Sequence, residues 1–237
     1  MFADKFLHNL GIYSERMITE HSAGGNSAFF ETASFPWVNR IEENWRTIRE
    51  ELDGILAKGQ SIPNFQDISK EQAKLADGEQ WKTFFLHAYG HKAEVNCALC
   101  PQTARLLELI PGMKTAMFSI LAAGKHIPEH RGPYKGVLRY HLGLIIPPPQ
   151  GACRIRVRDE VQIWKEGGSL IFDDSYLHEA WNDSTSVRVV LFVDIVRPLP
   201  FPLSLLNHFM LWLISVSPAV RQAMENIVRP VSHPKPV

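Results

Sequence analysis

Apolar residues recur at helical spacing through the first half of the chain, and the pattern changes to β after residue 112. Between 38 and 56, Val38, Ile41, Trp45, Ile48, Leu52 and Ile55 stand three or four apart with charges between them. That spacing predicts an amphipathic helix, with Pro36 near its start, where helices favour proline. Phe2, Phe6 and Leu10 are four apart, as in a short amphipathic helix or a packing arm. Residues 21–28 have loop composition. Ser69 and Gln72 have capping-box spacing and Gly78 follows, predicting a helix over 69–76. Residues 81–89 are compatible with a strand, but periodicity leaves them open. Residues 101–110 read as a helix ended by Pro111-Gly112.

Strands are predicted at 113–121, 137–146, 152–158, 161–164, 169–173 and 187–195. Gly124, Pro128, Pro147-Pro148-Pro149, Gly167-Gly168 and Asn182-Asp183 separate them as turns. Short strands at this spacing suggest a sandwich or barrel. No linker divides the chain, so 1–237 reads as one domain: mostly helical support over 1–112, a β core over 113–198, and an apolar helix and tail over 199–237. No charged residue lies between Arg197 and Arg221. Residues 203–216 are apolar nearly all round, too short to span a bilayer, and carry Asn207 and His208; they read as a buried or an interfacial helix.

Composition narrows the partners. The 237 residues carry no formal net charge, whereas a nucleic-acid binder usually shows a basic surplus. Three cysteines, Cys97, Cys100 and Cys153, do not suggest a secreted disulfide scaffold. Cys97 and Cys100 read as loop thiols or a local disulfide, and Cys153 as core. An acid at position 4 and no apolar run of signal length suggest no signal peptide, so a cytoplasmic protein is expected.

Polar residues in the apolar strands carry the candidate chemistry. Arg139 and His141 share one face of 137–146 with Val137 and Gly143, while Leu138, Tyr140, Leu142 and Leu144 share the other. Arg188 shares its face with Val190, Phe192 and Asp194. Cations pointing into a barrel call for an anion, and a dicarboxylate would satisfy both arginines. His130, in the loop before 137–146, and His178, at a strand end, are candidate metal ligands. Two histidines and a carboxylate describe non-haem iron oxygenases, but the position that would carry the carboxylate is Gly132. Asp173 and Asp174 read as turn or supporting residues. Trp164 and Phe172 read as core aromatics, and Arg154, Arg156 and Arg158 as one solvated strand face.

The motifs His130-Arg131-Gly132-Pro133, Arg139-Tyr140-His141-Leu142-Gly143, Trp164-Lys165-Glu166-Gly167, Ile171-Phe172-Asp173-Asp174-Ser175 and His178-Glu179, then Arg188 ten residues after His178, occur in that order. Upstream stand Phe35-Pro36-Trp37 and Asn44-Trp45. Together, over most of 34–198, they resemble the aspartyl/asparaginyl β-hydroxylase family. The resemblance implies a double-stranded β-helix (jelly-roll) core flanked by helices. It further implies Fe(II) held by His130 and His178, 2-oxoglutarate as cosubstrate, and O₂. Ser119 and Arg188 would hold the distal carboxylate of 2-oxoglutarate, with Arg139 and His141 near its other end. Protein-modifying members also have glycine at the position of Gly132, but carry an arginine where this chain has Val137. The Arg-Tyr-His spelling and the apolar tail resemble the lipid A acyl-chain hydroxylase branch. The expected activity is therefore hydroxylation of an unactivated C–H bond, in an aspartyl or asparaginyl residue or in a lipid acyl chain. The tail would then provide peripheral membrane contact. A non-catalytic barrel binding a small dicarboxylate is the alternative from another class; it would keep Arg188 and need no iron.

Overall fold

The computed structural model describes residues 2–22, 24–58, 62–68 and 80–228; the helix expected over 69–76 lies outside them. In chain order the helices are α1 (Phe2–His21), α2 (Trp37–Glu43), α3 (Trp45–Ala57), α4 (Phe65–Ile68), α5 (Glu94–Leu99), α6 (Pro101–Leu107), α7 (Leu203–Ser215) and α8 (Pro218–Val228). The strands are β1 (Phe29–Phe30), β2 (Trp81–Ala88), β3 (His91–Lys92), β4 (Met113–Leu121), β5 (His126–His130), β6 (Val137–Ile145), β7 (Cys153–Val157), β8 (Glu160–Ile163), β9 (Ser169–Phe172), β10 (His178–Asn182) and β11 (Arg188–Val196).

From β4 to β11 the chain alternates between two sheets. One has the order β1-β9-β6-β11-β4-β2-β3, the other β5-β10-β7-β8, and every pairing between these strands is antiparallel. Eight strands wound this way form a jelly roll, as the family resemblance implies. Strand alternation sorts the side chains into two layers. Leu138, Tyr140, Leu142 and Leu144 of β6, with Val189, Leu191, Val193 and Ile195 of β11, pack beneath α2, α3, α5 and α6. Met117, Val190 and Phe192 face the other way, into the space between the sheets, where they meet Ile155, Val157 and Ala180.

Several expectations change. The helix over 38–56 is two helices, because Asn44 leaves helical geometry (φ −104°, ψ 13°) and its side-chain amide donates to the Arg40 carbonyl at 2.8 Å. This is the competition that asparagine offers to helical backbone. The open segment 81–89 is strand β2, so β structure begins before residue 113. α1 runs well beyond residue 10. β5 and β10 were not expected as strands: His130 closes one rather than lying in a loop, and His178 opens the other. Cys97 lies in α5 and Cys100 just before α6; both are buried and free, not loop thiols or a disulfide. Burial first, then Glu51, pushes the Cys100 thiol up to about 12, which keeps it protonated and inert. Arg154 and Arg156 pair with Asp183 and with Glu129 and Glu179. Arg158 leaves the strand at φ 54° and lies over Tyr176.

The tail helix has one buried face, and Leu205, Phe209 and Trp212 are exposed elsewhere on it. Leu203, Asn207 and Met210 form the buried face of α7, and Leu203 and Met210 pack against Ile18 of α1 and Tyr134. The Asn207 amide donates to the Gly136 carbonyl at 2.9 Å. A side chain at residue 136 would collide with Asn207 Oδ1 at 1.9 Å, so glycine there lets α7 seat on the β5–β6 loop.

Candidate active site

β5 and β10 are paired so that His130 and His178 face each other directly, ring centroids 4.1 Å apart. His130 Nδ1 is 2.8 Å from the Pro128 carbonyl oxygen, and His178 Nδ1 is 2.9 Å from that of Tyr176. A carbonyl only accepts, so each Nδ1 carries the proton and each Nε2 keeps a free lone pair. Burial, aided by Arg139, lowers the His130 pKa. Burial, the neighbouring His130 and Arg139 bring His178 down to about 3. Both rings are therefore neutral near neutral pH, the form a metal requires, and each is oriented by its carbonyl partner. Among the described residues no group of three or more His, Cys, Asp or Glu side chains could hold a metal. The donor set is two imidazoles, which suit a first-row divalent metal such as iron, zinc or copper.

Gly132 has a local explanation. Its N–H donates to the Asp174 carbonyl at 2.7 Å, and a Cβ there would lie 2.2 Å from Asp174 Oδ2. The space for a carboxylate on residue 132 is thus filled by the carboxylate of Asp174. Asp174 is fully buried, with Arg139 Nη2 at 2.8 Å. That contact is not aligned as a hydrogen bond, and neither carboxylate oxygen has a hydrogen-bond partner. Burial, with Asp194 and Asp173 adding to it against Arg139, lifts the Asp174 carboxyl to about 6. Asp173 plays the turn role expected of it. It accepts from Ser175 N and Oγ at 3.0 and 2.6 Å, from Lys135 at 2.8 Å, and from Arg197.

The two inward arginines differ. Arg139 is already neutralised by Asp174 and by Asp194, whose Oδ1 accepts from its Nε at 3.0 Å. A dicarboxylate was expected to satisfy both cations; Arg139 already has its counter-charges in Asp174 and Asp194. Arg188 is 2% exposed, and its Nε and Nη1 have no partner among the described residues. Its guanidinium lies 4.5 Å from the Trp164 ring, and burial brings its pKa down to about 10. A buried cation without a counter-charge is costly, and a bound anion would relieve that cost. His141 lies in the same chamber, walled by Trp164, Phe172 and Phe192, with both ring nitrogens unpartnered. Burial first, then Arg139 and Arg188, holds it well below its ordinary pKa, hence neutral. Ser119 is buried and faces inward with Met117; its Oγ accepts from the Trp81 indole N–H at 3.0 Å. Trp81, Asp194 and the load borne by Trp164 were missed from sequence, although Asp194 stood on the Arg188 face.

Beside Arg139, Asp174 and Asp194 lies a cavity of about 260 Å³ between the barrel and the C-terminal helices. Phe85, Met117, Val137 and Phe192 line its barrel side, and Leu211, Trp212, Ala223 and Ile227 its helical side. A larger groove of about 750 Å³, between α1 and the small sheet, is bordered by charges of both signs. None of His130, His178 and Arg188 lines either space; the smaller cavity adjoins the site through Arg139 and Asp174.

The structure is thus a jelly roll that brings two facing histidines and a buried arginine into one barrel. The chain belongs to the aspartyl/asparaginyl β-hydroxylase family, whose profile, described as Aspartyl/Asparaginyl beta-hydroxylase, matches residues 42–198. It is 44% identical over 222 residues to an ornithine lipid ester-linked acyl 2-hydroxylase of Rhizobium tropici, covering 94% of this chain and 79% of that protein. It is 37% identical over 175 residues to the aspartyl/asparaginyl beta-hydroxylase of Homo sapiens, covering 71% of this chain but only 22% of the human protein. Among solved structures, a cupin domain of an XRE family transcriptional regulator from Enterobacter cloacae covers 50% of this chain and 99% of its own, with a TM-score of 0.35 and 13% identity.

Proposed function

We propose that the chain is an Fe(II)- and 2-oxoglutarate-dependent oxygenase that hydroxylates an acyl chain of a membrane lipid. The apolar cavity carries the substrate assignment. It runs beside Arg139 and Asp174, and Phe65, Ile68, Phe85, Met117, Phe192 and Ile214 make most of its wall apolar, with Lys114, Asp194 and His208 among its polar points; such a wall suits methylenes. Val137 lines it at the position where protein-modifying members resembling this chain have an arginine, and valine offers a substrate carboxylate nothing. Gly132, shared with those members, does not oppose this reading, because Asp174 alone accounts for it. The 44% relative is named for action on a lipid acyl chain, which supports the same direction.

In this reading His130 and His178 hold the iron through Nε2. Iron, with 2-oxoglutarate and O₂, supplies the oxidising power to replace a C–H hydrogen by a hydroxyl. The rest is done by the chain. Arg188 binds the distal carboxylate of 2-oxoglutarate and so acquires its missing counter-charge. The Ser119 hydroxyl, positioned by Trp81, donates to the same carboxylate. Neutral His141 offers one N–H at the cosubstrate's other end, near Arg139, which Asp174 and Asp194 hold in place. Phe172, Phe192 and Trp164 exclude water from this chamber. Residues 1–237 act as one catalytic domain, placed in the cytoplasm at a membrane surface.

The test is turnover by purified protein given Fe(II), ascorbate, 2-oxoglutarate and a polar lipid extract. The expected result is O₂-dependent succinate together with a one-oxygen mass increment on a fatty acyl group. Turnover only with aspartyl or asparaginyl peptides would overturn the lipid assignment. Binding of 2-oxoglutarate with no turnover on either would support the non-catalytic barrel.

A further inference from the structure

We infer that the outer face of α7 docks on a phospholipid bilayer and that the acyl chain enters the cavity directly from the leaflet, past Trp212. This rests on the lipid reading above and adds where the substrate comes from. Leu205, Phe209 and Trp212 stand four and three apart, so they form one stripe along α7, with Phe201 just before the helix and Val216 at its C-cap. Phe201, Leu205, Phe209, Trp212 and Val216 are 79, 61, 47, 56 and 38% exposed, in that order. Scattered exposed apolar residues are ordinary, but a contiguous stripe of this size marks an interaction surface.

Three observations select a bilayer as the occupant. First, the stripe and the cavity share an edge: Trp212 is more than half exposed and also lines the cavity, as do its neighbours Leu211 and Ser215. A surface that leads into an apolar chamber suits a reservoir of apolar chains. Second, no charged residue occurs from Pro198 to Val220, so nothing in this segment selects a charged partner. The stacked aromatics Phe209 and Trp212, with ring centroids 6.0 Å apart, are side chains that favour the headgroup boundary. Third, no single helix among the described residues is long and apolar enough to cross a membrane, but α7 and α8 together form an apolar pair, bent by 62°, whose length and composition suit a bilayer, and residues of both line the cavity.

The experiment uses the full chain and vesicles of zwitterionic phosphatidylcholine. Wild type is expected to co-float with the vesicles, and to do so equally at low and high salt, because the contact is apolar. Phe201→Ser/Leu205→Ser, which alters neither the cavity lining nor the buried face of α7, is expected to weaken partitioning on the order of 100-fold. Its thermal unfolding should stay that of wild type. Trp212 emission should be quenched by brominated phosphatidylcholine, with Trp212→Phe as the blank. If wild type fails to float, or floats only with anionic vesicles at low salt, the docking surface is wrong. A wild-type dimer in sedimentation that Phe201→Ser/Leu205→Ser dissociates would assign the stripe to a second copy of the chain and overturn the inference. Vesicle binding without hydroxylation of any lipid would leave the docking surface standing and reject the substrate reading instead. Hydroxylation of a dispersed acyl substrate without vesicle binding would do the reverse.

Discussion

Arg188→Met is the substitution whose outcome the geometry specifies most closely. Arg188 is 2% exposed, two of its nitrogens have no partner among the described residues, and burial brings its pKa down to about 10, more than two units below that of a free guanidinium. At about 1.36 kcal/mol per unit, the free protein bears a penalty of about 3 kcal/mol for keeping this group charged. The sign follows from the lowered pKa. Folding disfavours the protonated form, so the penalty is full below about pH 10 and shrinks only as the pH rises through that value. Methionine removes the charge and keeps an apolar stem against Trp164, so the variant without cosubstrate should be at least as stable as wild type, and up to about 3 kcal/mol more stable. Wild type should also gain about 2.7 kcal/mol from 2-oxoglutarate at a hundredfold excess over its Kd, and the variant nothing. Urea unfolding at pH 7, with and without 2-oxoglutarate, measures both. A variant that is destabilised by more than about 1 kcal/mol and still stabilised by the cosubstrate would refute the anion-site reasoning.

The same geometry makes other outcomes measurable. His130→Ala or His178→Ala should weaken Fe(II) or Co(II) binding beyond the ~10–100-fold that follows loss of a partner behind a ligand, read by anaerobic metal titration. Gly132→Ala should cost about 1–3 kcal/mol by crowding Asp174, and Gly132→Ala/Asp174→Ala should cost less than the sum of the two single changes in denaturant unfolding; additive effects would mean residue 132 does not press on Asp174. Gly132→Asp is accordingly expected to displace Asp174 rather than simply add a third metal ligand, seen as lost stability before any change in metal affinity. Burial raises the Asp173 carboxyl, but Arg197, Lys135 and Ser175 outweigh it and hold its pKa below the ordinary value. Its contribution is therefore full above about pH 4 and is lost as the pH falls through the folded pKa. Asp173→Asn should cost about 3–5 kcal/mol at pH 7 and flatten the acid limb of a stability–pH series.

The large sheet and its helix-side core were legible because each β6 and β11 residue announces its layer by alternation. Leu138, Tyr140, Leu142 and Leu144 lie beneath the helices, and Arg139 and His141 point inward, as their spacing required. β5 and β10 were not legible. His-Ile-Pro-Glu-His and His-Glu-Ala-Trp-Asn are short and largely polar, and their strand character comes from pairing with each other and with β7. Nor could sequence tell a paired arginine from an unpaired one. Asp174 follows β9 and Asp194 lies in β11, and only the fold brings both to Arg139 while leaving Arg188 alone. The cavity was least readable of all. Its walls come from α4, the barrel, α7 and α8, segments that carry no shared pattern. Residues 203–216 left a buried and an interfacial helix open because α7 has one buried and one exposed face, both largely apolar.

The most direct test of the account is the fate of isotopically labelled O₂ during turnover with Fe(II), 2-oxoglutarate and vesicle-borne lipid. Mass spectrometry would follow succinate and the fatty acyl groups together. The account predicts one labelled oxygen atom in succinate and one in an acyl hydroxyl, formed in equal amounts by wild type and in neither place by His178→Ala. Label appearing in aspartyl or asparaginyl residues while the acyl groups stay unlabelled, or acyl hydroxylation that proceeds without 2-oxoglutarate, would contradict it.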